Sequence, residues 1–150
     1  MAKLLNHEEL MAEWEKDCGI DREDLRHTMY EHPMLHSKYL GHLMVYKVTL
    51  RKYTIKYQTQ RLIRQRYYNG EMTKEHLDKH GWQQYLHKRP LKSEMETLID
   101  SSPEIQELEE KSLYTKAMIE ACESILKDIN SRYYLFREIV TYEKFKAGVA

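Results

Sequence analysis

The sequence predicts an all-α fold, with an elongated protomer built on two long heptad-patterned helices. Three observations carry that expectation. Only five Gly and three Pro interrupt 150 residues. Apolar and aromatic side chains recur at alternating intervals of four and three along two long stretches, the repeat of a coiled coil rather than of a globular surface helix. Local start and stop signals bracket both stretches.

The elements follow in order. Leu4 to about Asp17 reads as a short helix with Leu4, Leu10, Met11 and Trp14 as apolar contacts, ended by Gly19. Asp21 is placed to cap a second short helix through Tyr30. A third helix is expected from about Pro33, a residue tolerated in a first turn, to Tyr67 or Tyr68, stopping at Asn69-Gly70. Its seam is Tyr39, Leu43, Tyr46, Leu50, Tyr53, Tyr57, Gln60, Arg64 and Tyr67, over a length of roughly 50 Å. Residues 71–102 lack a sustained period and form a connecting segment, with a brief helix over Leu91–Ile99. The last helix is expected at 103–146, opened by Ser101 and Glu104 at capping-box spacing. Its seam runs Ile105, Leu108, Ser112, Thr115, Ile119, Cys122, Leu126, Ile129, Tyr133, Phe136 and Val140. Two seams this long exceed what one 150-residue globule buries. A single domain over 1–150 is therefore expected to be stable only as an oligomer. Ile119, Cys122, Leu126, Ile129, Tyr133, Phe136 and Val140 are its candidate oligomerisation residues.

Charge points to function. The formal net charge is zero, yet the 39 residues from His32 to Gly70 contain no acid. They carry Lys38, Lys47, Arg51, Lys52, Lys56, Arg61, Arg64 and Arg66, a charge of +8. Residues 1–31 sum to −5 and residues 91–130 to −6. Tyr39, Tyr46, Tyr53, Tyr57, Tyr67 and Tyr68 interleave with the cations. Unopposed basic charge among aromatics suits a single-stranded polyanion with stackable bases. An ordinary exposed helix mixes signs for pairing one turn apart, and this one has no acid of its own. The rival partner for the charge is the acidic last helix, with Glu104, Glu107, Glu109, Glu110, Glu120 and Glu123. Candidate DNA contacts are Lys47, Arg51, Lys52, Lys56, Arg61, Arg64, Arg66, Tyr67 and Tyr68. Tyr39, Tyr46 and Tyr53 read as core. Arg64 and Gln60 turn the seam polar, either to set register or to mark where charges face a groove.

Other chemistry is thinly represented. His76 and His80 have a helical metal-ligand spacing without a suitable third His or Cys, so no metal site is expected. Cys18 and Cys122 form no disulfide framework, and Cys122 reads as a small buried hydrophobe. No phosphate-binding glycine loop, nucleophile elbow or zinc-protease motif occurs, so neither catalysis nor a cofactor is expected. No signal-like start and no apolar run near 18 residues occur, and a soluble intracellular protein is expected.

Several short segments carry a family resemblance. Leu35-His36-Ser37-Lys38-Tyr39-Leu40, Tyr67-Tyr68-Asn69-Gly70 and Lys92-Ser93-Glu94-Met95 resemble segments of the UvsY family of T-even-like phage recombination mediators. So do Cys122, Leu126, Ile129, Ser131-Arg132 and the Phe145…Ala147-Gly148 ending. The resemblance implies a non-enzymatic, ring-like homo-oligomer, hexameric or heptameric, in the host cytoplasm. It implies single-stranded DNA, a RecA-like recombinase of the UvsX type and a phage single-strand-binding protein as partners. The family's Lys-Ala-Arg-Leu motif places its Arg on Arg64 and its Lys on Leu62, where Arg61 is the adjacent substitute. The alternative is a scaffold in which basic and acidic helices pair between copies, without a DNA role.

Overall fold

A computed structural model describes residues 3–149, and among them the secondary structure is helical throughout. Five helices follow in order: α1 (His7–Asp17), α2 (Leu25–Tyr68), α3 (Lys74–His80), α4 (Lys92–Asp100) and α5 (Pro103–Lys146). The chain divides into two compact units. Met1–Val48 and Thr115–Ala150 form the first, and Thr49–Tyr114 forms the second. The helices α2 and α5 contribute to both.

Helix boundaries follow local chemistry. Asn6 caps α1 in a reciprocal box, its side chain accepting from the Glu9 amide while the Glu9 carboxylate accepts from the Asn6 amide. Two expected helices merge into α2. Asp21 caps no helix; its carboxylate accepts from the Glu23 and Asp24 amides in the preceding turn. Asp24 caps instead, accepting from the His27 amide at 3.0 Å. Pro33 lies inside α2 rather than at its start. Pro33 and Met29 one turn earlier are both exposed, so water can solvate the carbonyl that Pro33 leaves without a donor. The stop at Asn69-Gly70 is where the sequence places it. Gly70 takes φ +71°, the Gly70 amide donates to Tyr67 O, and the Glu71 amide donates to Arg66 O.

The segment between the long helices is more ordered than its pattern suggests. Thr73 caps α3, and Gly81 ends it at φ +68°, turning the chain so that the Trp82 amide reaches Leu77 O. The expected Ser101–Glu104 box does not form. Ser101 closes α4, with its hydroxyl and that of Ser102 both donating to Leu98 O. The Gln106 amide meets Ser102 O, so α5 opens one residue later than the box requires.

In the first unit the α2 and α5 seams pack against each other. Tyr39, Leu43 and Tyr46 meet Met118, Cys122, Ile125, Leu126 and Ile129, with Leu5 and Leu10 closing the cluster. The tyrosines are anchored by their hydroxyls. Tyr39 donates to Asp17 at 3.1 Å and Tyr46 to Leu5 O at 2.7 Å. Burial and the Asp17 carboxylate hold the Tyr39 phenol strongly in its neutral form. Burial likewise raises the Cys122 thiol to about 11, as suits an inert packed group. The two seams are expected to exceed what one chain buries; within this chain they cover each other in part, because a short helix and two long ones enclose a shared core. Cys122, Leu126, Ile129 and Phe136 are buried within the chain itself, Ile119 and Val140 are half-buried, and Tyr133 is exposed.

The second unit has a smaller core of Met95, Ile99 and Ile105, backed by Tyr57 and Tyr68. No helix among the described residues is long and apolar enough to cross a membrane.

Two predictions follow from the first unit. Ile129→Ala removes atoms from its centre and should cost about 2–5 kcal/mol in urea unfolding. Tyr134→Ala, on the exposed side of the same helix, should cost less than about 1 kcal/mol in the same measurement.

The second concerns His32, buried with its ring edge-on to Tyr133 at 4.5 Å and Phe136 at 5.3 Å. Burial lowers its imidazole pKa, and the nearby Arg132 and His36 charges act in the same direction against a hydrogen bond to Ile129. The folded state therefore resists a proton that the unfolded state accepts near its ordinary pKa of about 6.5. The stability from neutral His32 is present above that pH and declines as pH falls below it. Urea midpoints from pH 8 to pH 5 should fall for the wild type, and fall less for His32→Leu.

Candidate nucleic-acid interface

The cations of α2 divide into two groups by their surroundings. Three of the eight are paired. Lys38 meets Asp17 at 2.6 Å and Glu13 at 3.5 Å within the first unit. In the second unit Arg61 pairs with Asp100, and Arg64 pairs with Glu104. The other five, Lys47, Arg51, Lys52, Lys56 and Arg66, are exposed and have no carboxylate partner among the described residues. Lys47 belongs to the first unit, whereas Arg51, Lys52, Lys56 and Arg66 belong to the second. Lys52 and Lys56 stand one turn apart on a common face.

The paired arginines also lie against aromatic rings. Arg61 donates to the Tyr57 hydroxyl at 3.2 Å, with its guanidinium 5.5 Å from that ring's centroid. The hydrogen bond to Asp100 is the main reason its pKa is raised still further. Arg64 lies over Trp82 at 4.3 Å, its side chain only 14% exposed, and its Nε is buried without a hydrogen-bond partner. Both arginines are thus held in place by an aromatic neighbour as well as by a carboxylate.

Tyr67 and Tyr68 join a larger aromatic group. Tyr67 packs at 5.2 Å from Tyr68, 5.1 Å from Trp82 and 5.7 Å from Tyr85. Its hydroxyl donates to Gln83 O at 2.9 Å. Tyr68 meets Tyr85 edge-on at 5.2 Å and backs the small core. His80 stacks on Trp82 at 4.7 Å and an interplanar angle of 24°. Among the described residues, no group of three His, Cys, Asp or Glu is placed to hold a metal ion.

The sequence singles out the cations, Tyr67 and Tyr68 as candidates. Sequence reasoning missed Trp82, Tyr85 and Asp100 as their neighbours. One signal was available: Asp100 and Glu104 are four residues apart, close to the spacing of Arg61 and Arg64. Two carboxylates one turn apart can face two arginines one turn apart.

Known proteins share this architecture. A solved structure of the bacteriophage T4 recombination mediator protein UvsY superposes with a TM-score of 0.81 at 23% identity, covering 95% of this chain and 98% of that one. A second crystal form gives a TM-score of 0.77 at 21% identity, covering 95% and 99%. At these identities the likeness establishes the fold. In sequence, the recombination protein uvsY of Enterobacteria phage T4 is 27% identical over 144 residues, covering 94% of this chain and 97% of the relative. The family model for the recombination, repair and ssDNA binding protein UvsY matches residues 13–149. With nearly its whole length matched, the chain belongs to the UvsY family.

Proposed function

We propose that this chain is a recombination mediator that captures single-stranded DNA on α2 and promotes loading of a RecA-like recombinase onto DNA coated with single-strand-binding protein. The observation that carries this reading is the set of exposed cations Arg51, Lys52, Lys56 and Arg66 on one helix of the second unit, without carboxylate partners among the described residues. Lys47 adds a further exposed cation on the same helix. Family membership supports it, since the family is described by recombination, repair and ssDNA binding.

Cations neutralise phosphates and release their counterions, so affinity depends on salt and little on sequence. Tyr67 and Tyr68, half-buried in their aromatic group, are the candidate rings for base stacking, at about 1–3 kcal/mol per engaged base. The action is binding and exchange rather than catalysis. A homo-oligomer, hexameric or heptameric, would present several copies of the cationic helix to one strand and multiply modest protomer affinity. Exposed apolar side chains are available for such assembly. They are Ile55, Leu62, Leu113 and Tyr114 in the second unit, and Tyr133, Tyr134, Leu135, Tyr142 and Phe145 in the first. The host cytoplasm, where phage DNA recombines, is the expected site of action.

The scaffold reading keeps a specific observation in its favour. Arg61–Asp100 and Arg64–Glu104 are basic-to-acidic helix pairs of the kind it invokes, although they form within one chain. It leaves Lys52 and Lys56 without a role.

Two measurements test the proposal. Lys52→Ala with Lys56→Ala should weaken binding to an oligothymidylate and flatten its log–log salt dependence by about 0.7 per lost phosphate contact. Helicity by circular dichroism should be unchanged, because both side chains are exposed. In a recombinase-assembly assay on pre-coated DNA with cognate proteins, the wild type should shorten the lag, and the double variant should do so poorly. An unaltered lag with wild-type protein rejects mediation, and an unaltered salt slope in the variant moves the DNA contact elsewhere.

A further inference from the structure

We propose that Asp100 and Glu104 occupy two backbone-phosphate seats, at Arg61 and Arg64, and that a single strand enters those seats by displacing the carboxylates. The inference builds on the reading that the chain binds single-stranded DNA, and adds which residues regulate access to part of the site.

A guanidinium fork recognises carboxylate and phosphate with the same planar donor geometry. Arg61 and Arg64 are one turn apart on α2, and each donates through one terminal guanidinium nitrogen to a carboxylate oxygen. What makes these pairs exchangeable is the difference in burial between partners. The Asp100 and Glu104 side chains are 58% and 56% exposed, whereas those of Arg61 and Arg64 are 28% and 14% exposed. The carboxylates reach water by side-chain rotation, and a phosphate that takes their place keeps the shielded guanidinium compensated, so the exchange need not leave that charge unpaired. The arginines stay behind. Tyr57 holds Arg61 through its hydroxyl, and Trp82 underlies Arg64. The seats are therefore built independently of the groups now filling them. Arg64 also keeps Nε as a donor without a partner.

The order of events follows from accessibility. A strand first meets Arg51, Lys52, Lys56 and Arg66, which have no carboxylate to displace. Once held there, its neighbouring phosphates compete with Asp100 and Glu104 at high local concentration. The carboxylates thus keep affinity below what Arg61 and Arg64 would add to the unpaired cations, and leave those last two contacts reversible.

The test is fluorescence anisotropy of the full chain on labelled oligothymidylate across a salt series. Asp100→Asn with Glu104→Gln should tighten binding roughly 3- to 30-fold and steepen the salt slope by up to about 1.4, two contacts at about 0.7 each. Glu109→Gln with Glu110→Gln makes the same charge change on exposed residues without an arginine partner and should shift affinity less than about threefold. Adding Arg61→Ala and Arg64→Ala to the Asp100/Glu104 variant should erase its gain. A gain no larger than the control's, or one that persists without the arginines, overturns the inference while wild-type binding still upholds the DNA reading. Absence of binding by every form overturns both. If the double variant loses helicity, Asp100→Asn and Glu104→Gln are read singly. Each is then expected to give a smaller gain dependent on its own arginine, and no gain from either overturns the inference.

Discussion

The constraint on which this structure turns is that α2 carries eight cations between His32 and Gly70 and no carboxylate. A helix cannot relieve such charge by pairing one turn away along itself. Each cation must find its counter-charge on another element, in solvent or on a ligand. The fold uses the first route three times: at Lys38 through α1, at Arg61 through the end of α4, and at Arg64 through the first turn of α5. The five left over define where a polyanion gains most, because there it displaces only water and small ions.

The same helix also supplies much of the core of the first unit, and its two duties are separated by face. Tyr39, Leu43 and Tyr46 are buried, while Lys47 beside them is exposed. Tyrosine suits this arrangement better than phenylalanine does. Its ring fills the seam and its hydroxyl ties the core to α1 through Asp17 and to the chain before α1 through Leu5 O. Asp17 serves twice, accepting from the Tyr39 hydroxyl and pairing with Lys38 one residue earlier. A single carboxylate thereby satisfies a buried phenol and removes one cation from the exposed set.

Local signals in the sequence located what local physics controls. Gly70 and Pro103 bound helices because a positive φ and a missing amide act on the residues beside them. The heptad residues Cys122, Leu126 and Ile129 were legible as apolar, but periodicity does not say whether another part of the same chain or another copy covers them. Pro33 misled because a proline that opens a helix and one tolerated inside it look alike until solvent exposure is known. Seven residues are too few to display a period, so α3 shows itself only through Thr73 and Gly81 at its ends. At the site, the cations could be counted, but Asp100 and Glu104 lie 39 and 40 residues from their arginines. Pairing over that distance depends on the fold rather than on local pattern.

That long-range pairing changes what the charge count means. Eight cations on one helix suggest a strong clamp, yet three of them are already paired with carboxylates, and the other five are exposed with no carboxylate partner among the described residues. On the proposed DNA-binding reading, strength would come from number rather than from any single contact, and each contact could be released without the rest. A protein that must hold a strand while others are seated on it needs this property, because a tight clamp would compete with the arriving protein. Asp100 and Glu104 act in the same direction. In the proposed exchange they would compensate the guanidinium charges again whenever a phosphate departs, so rebinding would need no reordering of the side chains that Tyr57 and Trp82 hold in place.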